Sequence, residues 1–518
     1  MAHDDKYQLN AANVLEEEPS SQSPQNGSVD ETLVYAQTRT RRLFNEKQLF
    51  AFSLVYMGSW NAVGGNMYYG MYNGGPLAWL ISYIIIFAGV TCQSASFGEL
   101  ASIQPVAGAQ YYWTHHFAPA SSKRLLTWLQ GWVTWTAYVS MMASGNNYNI
   151  AIIEGLISLN NPDYVVVGWR TTLISLSLLI FSTLLNIYAF RIVPWFELLA
   201  CVFNICLFLI VVVVFYAMAP RNSAEMFTMT NVSSGWDNYF VASHIGSLSN
   251  IWLFIGFENV IHMGEETKKA KKIVPRALFW SIFTNGALGF VMIITLLICM
   301  PPVDTLLNSA SPIVAILLHV TGSVKVSTAI TAGLIVLNQS ATIGVVSSVS
   351  RLTWAWARDG GLPQYFSYVD ARHHIPLRAV VLTSTLVGML TLLNLGSATY
   401  IALGAITSLS SMAMYLSYGM ILAVVVYARL TRGIELGQWH WGKWGIYLNI
   451  AALVYTVYAL IWFPFPQTVP VNAENMNYSG PVLGVVFIGA ISLWFMRARI
   501  HWDGPNRGVA DEVLQHGD

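Results

Sequence analysis

The chain has 518 residues and no net formal charge; 55% of its residues are hydrophobic and only 10% are charged. A soluble domain typically carries about 25% charged residues because it needs a hydrated surface. The composition therefore excludes an ordinary soluble protein. We expect membrane lipid around the chain and no nucleic-acid partner.

Long apolar runs such as 195–218 and 277–300 match the roughly 20 residues that a helix needs to cross a bilayer. Inside lipid every backbone amide must be satisfied within its own segment, so these runs are predicted to be helices. The ten-residue alternation of a membrane β-barrel is not seen. The sequence predicts an all-α polytopic membrane protein with about twelve transmembrane helices. The expected spans are 49–73, 77–100, 126–151, 164–187, 193–218, 244–263, 276–300, 326–355, 377–396, 400–428, 445–465 and 480–502.

The basic residues predict the orientation of these spans. With a cytoplasmic N-terminus, all but three of the 26 Lys and Arg residues fall on the inside, the exceptions being Arg170, Arg221 and Lys325. This asymmetry is what the positive-inside rule expects. It also supports the helix count, because one missed span would disturb the alternation.

Three regions follow along the chain. Residues 1–45 are polar and predicted to be a disordered cytoplasmic tail. Residues 46–502 are predicted to form a twelve-helix membrane domain, and 503–518 a short cytoplasmic C-terminal tail. The four cysteines lie in predicted helices, so we expect structural thiols without a disulfide framework. No cleavable signal is expected, since the first span would direct insertion.

Two sequons, at Asn231 and Asn477, fall in loops that the charge pattern places outside. We expect them to be glycosylation sites if the chain passes through a secretory pathway. Chance occurrence is the alternative for each of them.

Motifs for enzymatic chemistry are absent from the sequence. There is no phosphate-binding Gly-x-x-x-x-Gly-Lys-Ser/Thr loop and no Gly-x-Ser-x-Gly nucleophile elbow. Neighbouring histidines at 115–116 and 373–374 point in different directions, so no metal site is expected. We predict that the chain is not an enzyme and has no cofactor. Uphill transport would then depend on an ion gradient.

Glu258 lies in the middle of the sixth predicted span. An ionisable group at that depth costs several kcal/mol unless it is paired, hydrated or protonated. The nearby Gly256 favours a local helix break, which can expose backbone groups to a cavity. Glu258 is thus the candidate proton-coupling residue. A protonated Glu258 that only hydrogen-bonds a neighbouring helix is the alternative.

The first predicted span carries a similar feature around Ser59, Trp60 and Asn61, which lie between Gly58 and the pair 64–65. Two interrupted helices at corresponding places of two halves indicate an inverted-repeat transporter. Close packing of a small-residue helix face is the alternative.

Further polar and aromatic side chains are candidates for a substrate site. Asn146 and Asn338 lie within the third and eighth spans, where interhelical hydrogen bonding is the alternative. Trp60, Trp252 and Phe257 lie where they could cover a substrate, and a Trp face can hold an ammonium group by cation–π attraction.

Three groups of residues resemble the amino acid–polyamine–organocation superfamily. The first group is 255–258, 265–268 and 273–277. The second is 97–101, 105, 108 and 110–113, and the third is 351, 357–363 and 375–379. Within it, Ser59-Trp60-Asn61 and the stretch 73–76 resemble fungal permeases for choline and 4-aminobutyrate. Alpha-amino-acid members more often have a glycine-rich break where this chain has Trp60 and Asn61.

The resemblance implies a leucine-transporter-like fold of five helices repeated in inverted orientation, with helices 1 and 6 broken. It also implies a substrate site assembled from both breaks. The position-matched residues are Ser59, Trp60, Asn61, Trp252, Ile255, Gly256 and Phe257, with Asn146 and Asn338 added from helices 3 and 8.

We therefore predict a secondary active transporter for an amino acid or related amine, coupled to protons. Alternatives are a choline or polyamine permease, a nutrient-sensing homologue that does not transport, and a passive channel. A membrane enzyme is the least expected class. The plasma membrane is the expected location and the vacuolar membrane the alternative.

Overall fold

The structure is a computed structural model that describes residues 42–309, 311–370, 372–396, 399–472, 475–506 and 508. Most of both predicted tails, namely 1–41, 507 and 509–518, lies outside the described residues. Phe44, just before the first helix, is fully buried. Its backbone bonds to Glu266 and Lys268 in an isolated bridge, and the described residues otherwise contain only helices and loops.

The described residues form eighteen α-helices, whose bounds follow in chain order. They are α1 (Glu46–Met57), α2 (Ser59–Asn66), α3 (Tyr68–Asn73), α4 (Gly75–Ile103), α5 (Ala109–Phe117), α6 (Lys123–Asn160), α7 (Gly168–Tyr188), α8 (Val193–Met218), α9 (Tyr239–Trp252), α10 (Ala270–Cys299), α11 (Val303–Leu307), α12 (Pro312–Thr321), α13 (Val324–Arg358), α14 (Leu377–Thr391), α15 (Thr399–Thr431), α16 (Gly445–Trp462), α17 (Ser479–Leu493) and α18 (Arg499–His501). Short 3₁₀ segments lie between them, including Phe190–Ile192 before α8 and Phe257–Glu266 after α9.

Ten helices of the described chain are long and apolar enough to cross a membrane. They confirm the all-α, polytopic prediction. The predicted spans 49–73 and 126–151 are the two without a match among the ten. The first is divided into α1, α2 and α3, while α6 has 38 residues but is less apolar. The count of twelve and the inverted repeat stay predictions.

The centre of the bundle is formed by α6, which packs most extensively against α13 and α15. Polar groups lie in these contacts. Gln130 Nε2 on α6 donates to Ser417 Oγ on α15 at 2.7 Å, and Thr134 Oγ1 lies 2.7 Å from the same hydroxyl. Hydrogen bonds of this kind fix the relative rotation of two helices where apolar packing alone does not.

Helices α4 and α10 approach each other closely. Tyr83 on α4 donates to the carbonyl of Gly286 on α10 at 2.9 Å. A Cβ at Gly286 would lie 2.0 Å from Phe87 Cε2, so only glycine permits this contact. Around these helices, α1 and α8 complete the wall beside α10.

Candidate functional site

Two glycines in the left-handed region interrupt the first and sixth spans. Gly58 ends α1 with φ of +48°, and Gly256 begins the 3₁₀ segment after α9 with φ of +73°. An L side chain is strained at such φ values, whereas glycine is not. The breaks predicted near these glycines are therefore present in the structure.

A hydrogen bond from Ser59 joins the two breaks, and Asn285 holds the first of them. Ser59 Oγ donates to the carbonyl of Leu253 at 2.8 Å. Asn285 on α10 accepts from the Ser59 N–H at 3.2 Å and donates to the carbonyl of Leu54 at 3.3 Å. Backbone groups that a break frees must find partners in a membrane. Here the first break supplies a donor to the sixth span, and Asn285 on α10 supplies the partners of the first break. Ser59 thus links the helices on which a site would be built.

Gly256 lies in a space that no larger residue could occupy. A Cβ there would lie 2.6 Å from Met141 Sδ and 3.3 Å from Tyr56 Cε1. Its N–H donates to the hydroxyl of Tyr418 at 3.2 Å, and its carbonyl accepts from Asn259 Nδ2 at 2.8 Å. The break therefore brings backbone polar groups within reach of α6, α15 and the 3₁₀ segment.

Trp252 contributes the aromatic wall of this region. Its Nε1 donates to Ser144 Oγ on α6 at 3.1 Å, and its ring centroid lies 5.2 Å from that of Tyr148. The Tyr148 hydroxyl lies 3.4 Å from the carbonyl of Asn61 on α2. Between the two α6 residues, a Cβ at Gly145 would meet no atom within 4 Å. Gly145, on the same stretch of α6 as the partners of Trp252, therefore has free space at its Cβ position.

The carboxyl group of Glu258 is fully buried and held by neutral donors. Gln110 Nε2 donates to Oε1 at 2.8 Å, the Tyr418 hydroxyl donates to Oε2, and the Tyr138 hydroxyl lies nearby. No basic residue forms an ion pair with Glu258 among the described side chains. Such surroundings can hold the carboxyl group in either protonation state.

His262, on the same 3₁₀ segment, is fully buried beside this group. Its Nδ1 lies 2.5 Å from the carbonyl of Ala107, and its ring packs edge-on against Tyr138 at a centroid distance of 4.6 Å. Tyr138 therefore contacts both buried titratable side chains.

Five charged residues form a second group, here called the charge cluster: Glu265, Glu266, Arg351, Arg358 and Asp359. Arg351 Nε lies 2.9 Å from Glu266 Oε1, and Arg358 bonds both oxygens of Glu265 at 2.9 and 3.1 Å. The positive-inside rule predicts that this end of the bundle is cytoplasmic. The cluster joins the end of the sixth span to the end of α13.

Asp359 extends the charge cluster towards α5 and the C-terminus. It accepts from the hydroxyls of Tyr111 at 2.6 Å and Tyr112 at 3.1 Å, and from the N–H of Asn506 at 3.1 Å. Burial raises the pKa of the Asp359 carboxyl, and Arg358 opposes that shift. Among the described residues, no group of three or more His, Cys, Asp or Glu side chains could hold a metal ion.

A family model described as amino acid permease matches residues 45–488. The chain belongs to the amino acid permease family. A Macrophomina phaseolina protein named as an amino acid/polyamine transporter is 29% identical over 441 residues, which cover 83% of this chain and 96% of the relative. Amino-acid permease 2 of Neurospora crassa is 28% identical over 502 residues, which cover 94% of this chain and 90% of the relative. The choline transporter of Saccharomyces cerevisiae is 27% identical over 447 residues, which cover 85% of this chain and 78% of the relative.

These findings confirm the predicted family and its transporter function. They also fit the ten apolar helices, so the permease is a multi-pass membrane protein. The motif residues quoted for the resemblance now have structural roles, because Glu265, Glu266, Arg351, Arg358 and Asp359 meet in the charge cluster.

The permease structure separates the aromatic residues predicted to cover a substrate. Trp60 bonds Asn204 on α8 through its Nε1, and its ring lies 5.5 Å from that of Phe208. Phe257 is fully buried, with ring centroids 5.3 Å from Phe97 and 5.2 Å from Tyr418. Trp252 instead lies against Ser144 and Tyr148 of α6, which flank Gly145 in the chain.

The remaining predicted site residues are similarly divided. Ile255 is 6% exposed beside the sixth-span break, and Asn61 lies against Tyr148. Asn146 Nδ2 donates to Ser175 Oγ on α7 at 2.6 Å. This is the interhelical hydrogen bond that was the alternative to a role of Asn146 in the substrate site. Asn338 is 9% exposed, and its Nδ2 has no hydrogen-bond partner among the described residues. Their roles in binding stay predictions.

Sequence reasoning missed the side chains that hold Glu258. Gln110 belonged to a segment quoted for the family resemblance, but nothing in the sequence paired it with Glu258. Tyr138 and Tyr418 carried no signal, because aromatic residues are frequent throughout this permease.

Both predicted glycosylation residues form hydrogen bonds through their side chains. Asn231 Nδ2 donates to the carbonyl of Met71 at 3.0 Å, and Asn477 Nδ2 donates to the carbonyl of Phe463 at 2.6 Å. An attached glycan would have to replace or reorient these bonds. Glycosylation of either residue stays a prediction.

Proposed function

We propose that this permease is a secondary active transporter that moves an amino acid or a related amine together with a proton. The family and the names of three relatives support the substrate class. The proton is supported by Glu258, a fully buried carboxyl group with hydrogen bonds from neutral donors.

The substrate amine would lie against Trp252 and Tyr148, beside the open space at Gly145. Aromatic faces attract an ammonium group, and the attraction strengthens where water is excluded. A quaternary ammonium or a polyamine has the same chemistry, so a choline or polyamine permease is the alternative. The backbone groups at the Gly58 and Gly256 breaks are the candidates for binding a carboxylate.

Glu258 carries the coupling part of the proposal. Its hydrogen bonds involve an amide and hydroxyl groups, which do not fix the charge of the carboxyl group. The Tyr418 hydroxyl also accepts a hydrogen bond from the Gly256 N–H. A change in the protonation of Glu258 would therefore change the hydrogen bonding at the sixth-span break. Because the break borders the substrate region, proton and substrate binding would be coupled through Tyr418.

Access from the cytoplasm would be controlled by the charge cluster. Glu266 and Arg351 side chains are 2% and 1% exposed, so water is excluded from their ion pair. Separation of the sixth span from α13 would break this pair and open a route inward. We propose the plasma membrane as the location, with the vacuolar membrane as the alternative.

Uptake by the purified protein in liposomes tests the proposal. The panel contains labelled amino acids, 4-aminobutyrate, choline and polyamines, each with and without an inward proton gradient. Accumulation of one substrate only with the gradient is expected. Uptake that instead needs internal substrate would indicate an exchanger, and no flux for any compound would favour the nutrient-sensing alternative.

Replacement of Glu258 by Gln tests the coupling residue. Glu258→Gln is expected to remove the stimulation of uptake by the proton gradient while expression is maintained, since Gln keeps the shape and hydrogen-bonding capacity. Glu225→Gln, in a short 3₁₀ segment outside the bundle, is the matched control. Unchanged gradient stimulation in Glu258→Gln would remove this residue from the mechanism.

A further inference from the structure

A second carboxyl group, that of Glu197, is enclosed in the bundle. Glu197 is the fifth residue of α8 and is 0% exposed. Neither of its carboxylate oxygens has a hydrogen-bond partner among the described residues. An unpaired charge in such surroundings costs several kcal/mol, so the structure favours the protonated, neutral form.

The neighbours of Glu197 come from two helices that meet α8. A Cβ at Gly344 on α13 would lie 3.3 Å from Glu197 Oε1 and 3.4 Å from Phe52 Cε2 on α1. The carboxyl group is therefore enclosed between α13 and the ring of Phe52. The glycine leaves room for a carboxyl group at a place where a larger residue would press against it.

The titratable and charged groups around this position leave Glu197 unpaired. Cys201 lies one turn further along α8, and Tyr56 lies one turn beyond Phe52 on α1. Arg351, two turns after Gly344 on α13, is committed to Glu266 and lies 3.9 Å above the centre of the Phe190 ring. Among the described residues, no charge is thus available to neutralise an ionised Glu197.

We propose that Glu197 is a second proton-binding site of this permease, covered by α1 and opened to water when α1 moves. The break at Gly58 separates α1 from α2. At its other end, the bridge from Phe44 ties the start of α1 to Glu266 of the charge cluster. Opening of the charge cluster would release α1, hydrate Glu197 and let its proton leave towards the cytoplasm.

The inference rests on the proposed proton coupling, and it assigns a role distinct from that of Glu258. In the proposed cycle, Glu197 must lose its proton before the empty carrier returns. Replacing it with a permanently neutral residue should therefore block that one step. The loaded carrier still crosses in both directions, but net cycling stops. Glu258, in contrast, is linked to the break beside the substrate region.

Replacement of Glu197 by Gln tests the site in liposomes. Glu197→Gln is expected to lose gradient-driven accumulation by at least tenfold while keeping exchange of internal for external substrate at equal pH. Retention of full gradient-driven accumulation would overturn the proposal. If the wild-type protein shows no gradient effect, the proposed function has failed instead.

Thermal unfolding provides a test that does not require transport. Ionisation of a carboxyl group that is enclosed without a hydrogen-bond partner destabilises the fold. Wild-type stability should therefore fall with rising pH more steeply than that of Glu197→Gln. Glu225→Gln should keep the wild-type slope. Equal slopes for wild type and Glu197→Gln would overturn the proposal even if the variant transports poorly.

Discussion

The charge cluster and the interior carboxyl groups are two solutions to burying acidic residues in one bundle. In the cluster, Glu265 and Glu266 each have an arginine within 2.9 Å. In the interior, Glu258 has only neutral hydrogen-bond donors, and Glu197 has no partner among the described residues. The acids have the same chemistry, but the surroundings differ in what they allow.

An arginine partner fixes a carboxylate in its charged form, because guanidinium remains protonated at all relevant pH values. Such a pair can join two helices, and it responds to their separation rather than to protons. A carboxyl group among neutral donors can gain or lose a proton without leaving a second charge behind. The comparison therefore separates groups suited to gating from groups suited to proton coupling.

Among the substitutions that test this comparison, replacement of Arg351 is expected to have the largest effect on stability. Replacement of Arg351 by Met leaves Glu266 buried and unpaired, which costs about 3–5 kcal/mol. The melting temperature of the Arg351→Met variant in detergent should fall clearly below that of wild type. Arg276→Met is the matched control, because Arg276 is half exposed and lies 3.8 Å from Glu46; it should cost about 0–1 kcal/mol. Equal melting temperatures for both variants would show that the cluster does not hold the helices together.

Replacement of Tyr418, which donates to the interior carboxyl group of Glu258, is expected to have an intermediate effect on stability. Tyr418→Phe removes the donor to Glu258 and the acceptor of the Gly256 N–H, and unsatisfied buried groups cost about 1–3 kcal/mol. Reduced thermal stability and altered gradient dependence of uptake are expected together. Tyr427→Phe, at a position 46% exposed on the same helix, should change neither property. A Tyr418→Phe variant with wild-type gradient dependence would argue against coupling through this hydroxyl.

The sequence was sufficient to predict an all-helical, multi-pass membrane protein and the location of both breaks. Long apolar runs give the spans, while Gly58 and Gly256 indicate where the helix cannot continue. The family resemblance also identified the segments that contain the charge cluster. Both kinds of signal are local in the chain, which explains why they can be read without a structure.

The directions of side chains near the breaks could not be predicted in the same way. A break resets the rotation of the helix, so the 3.6-residue period before Gly58 does not tell where Trp60 points. Trp60 and Trp252 consequently lie in different surroundings. The partners of Glu258 are also distant in sequence, with Gln110 148 positions away and Tyr418 160. No periodic pattern connects residues at that separation.

Asp370 gives the smallest expected effect and completes the comparison with an acid in a loop. Its carboxylate accepts from the backbone N–H of His373 at 2.8 Å and lies 2.9 Å from the His373 ring nitrogen. The His373 backbone N–H and then its side chain hold the pKa of Asp370 below the ordinary value. A lowered pKa means that the carboxylate stabilises the folded protein above the unfolded pKa of about 3.9, and that this contribution is lost as pH falls through the folded value.

Asp370→Asn should therefore lower the melting temperature slightly at pH 7 and have a smaller effect as the pH approaches 3. Parallel thermal unfolding of wild type, Asp370→Asn and Arg351→Met over this range checks the order of effects. Water around Asp370, whose side chain is 24% exposed, can replace the lost hydrogen bonds, whereas Glu266 has no such replacement. If Asp370→Asn destabilised the protein as much as Arg351→Met, burial would not be the property that distinguishes the charge cluster from the loop.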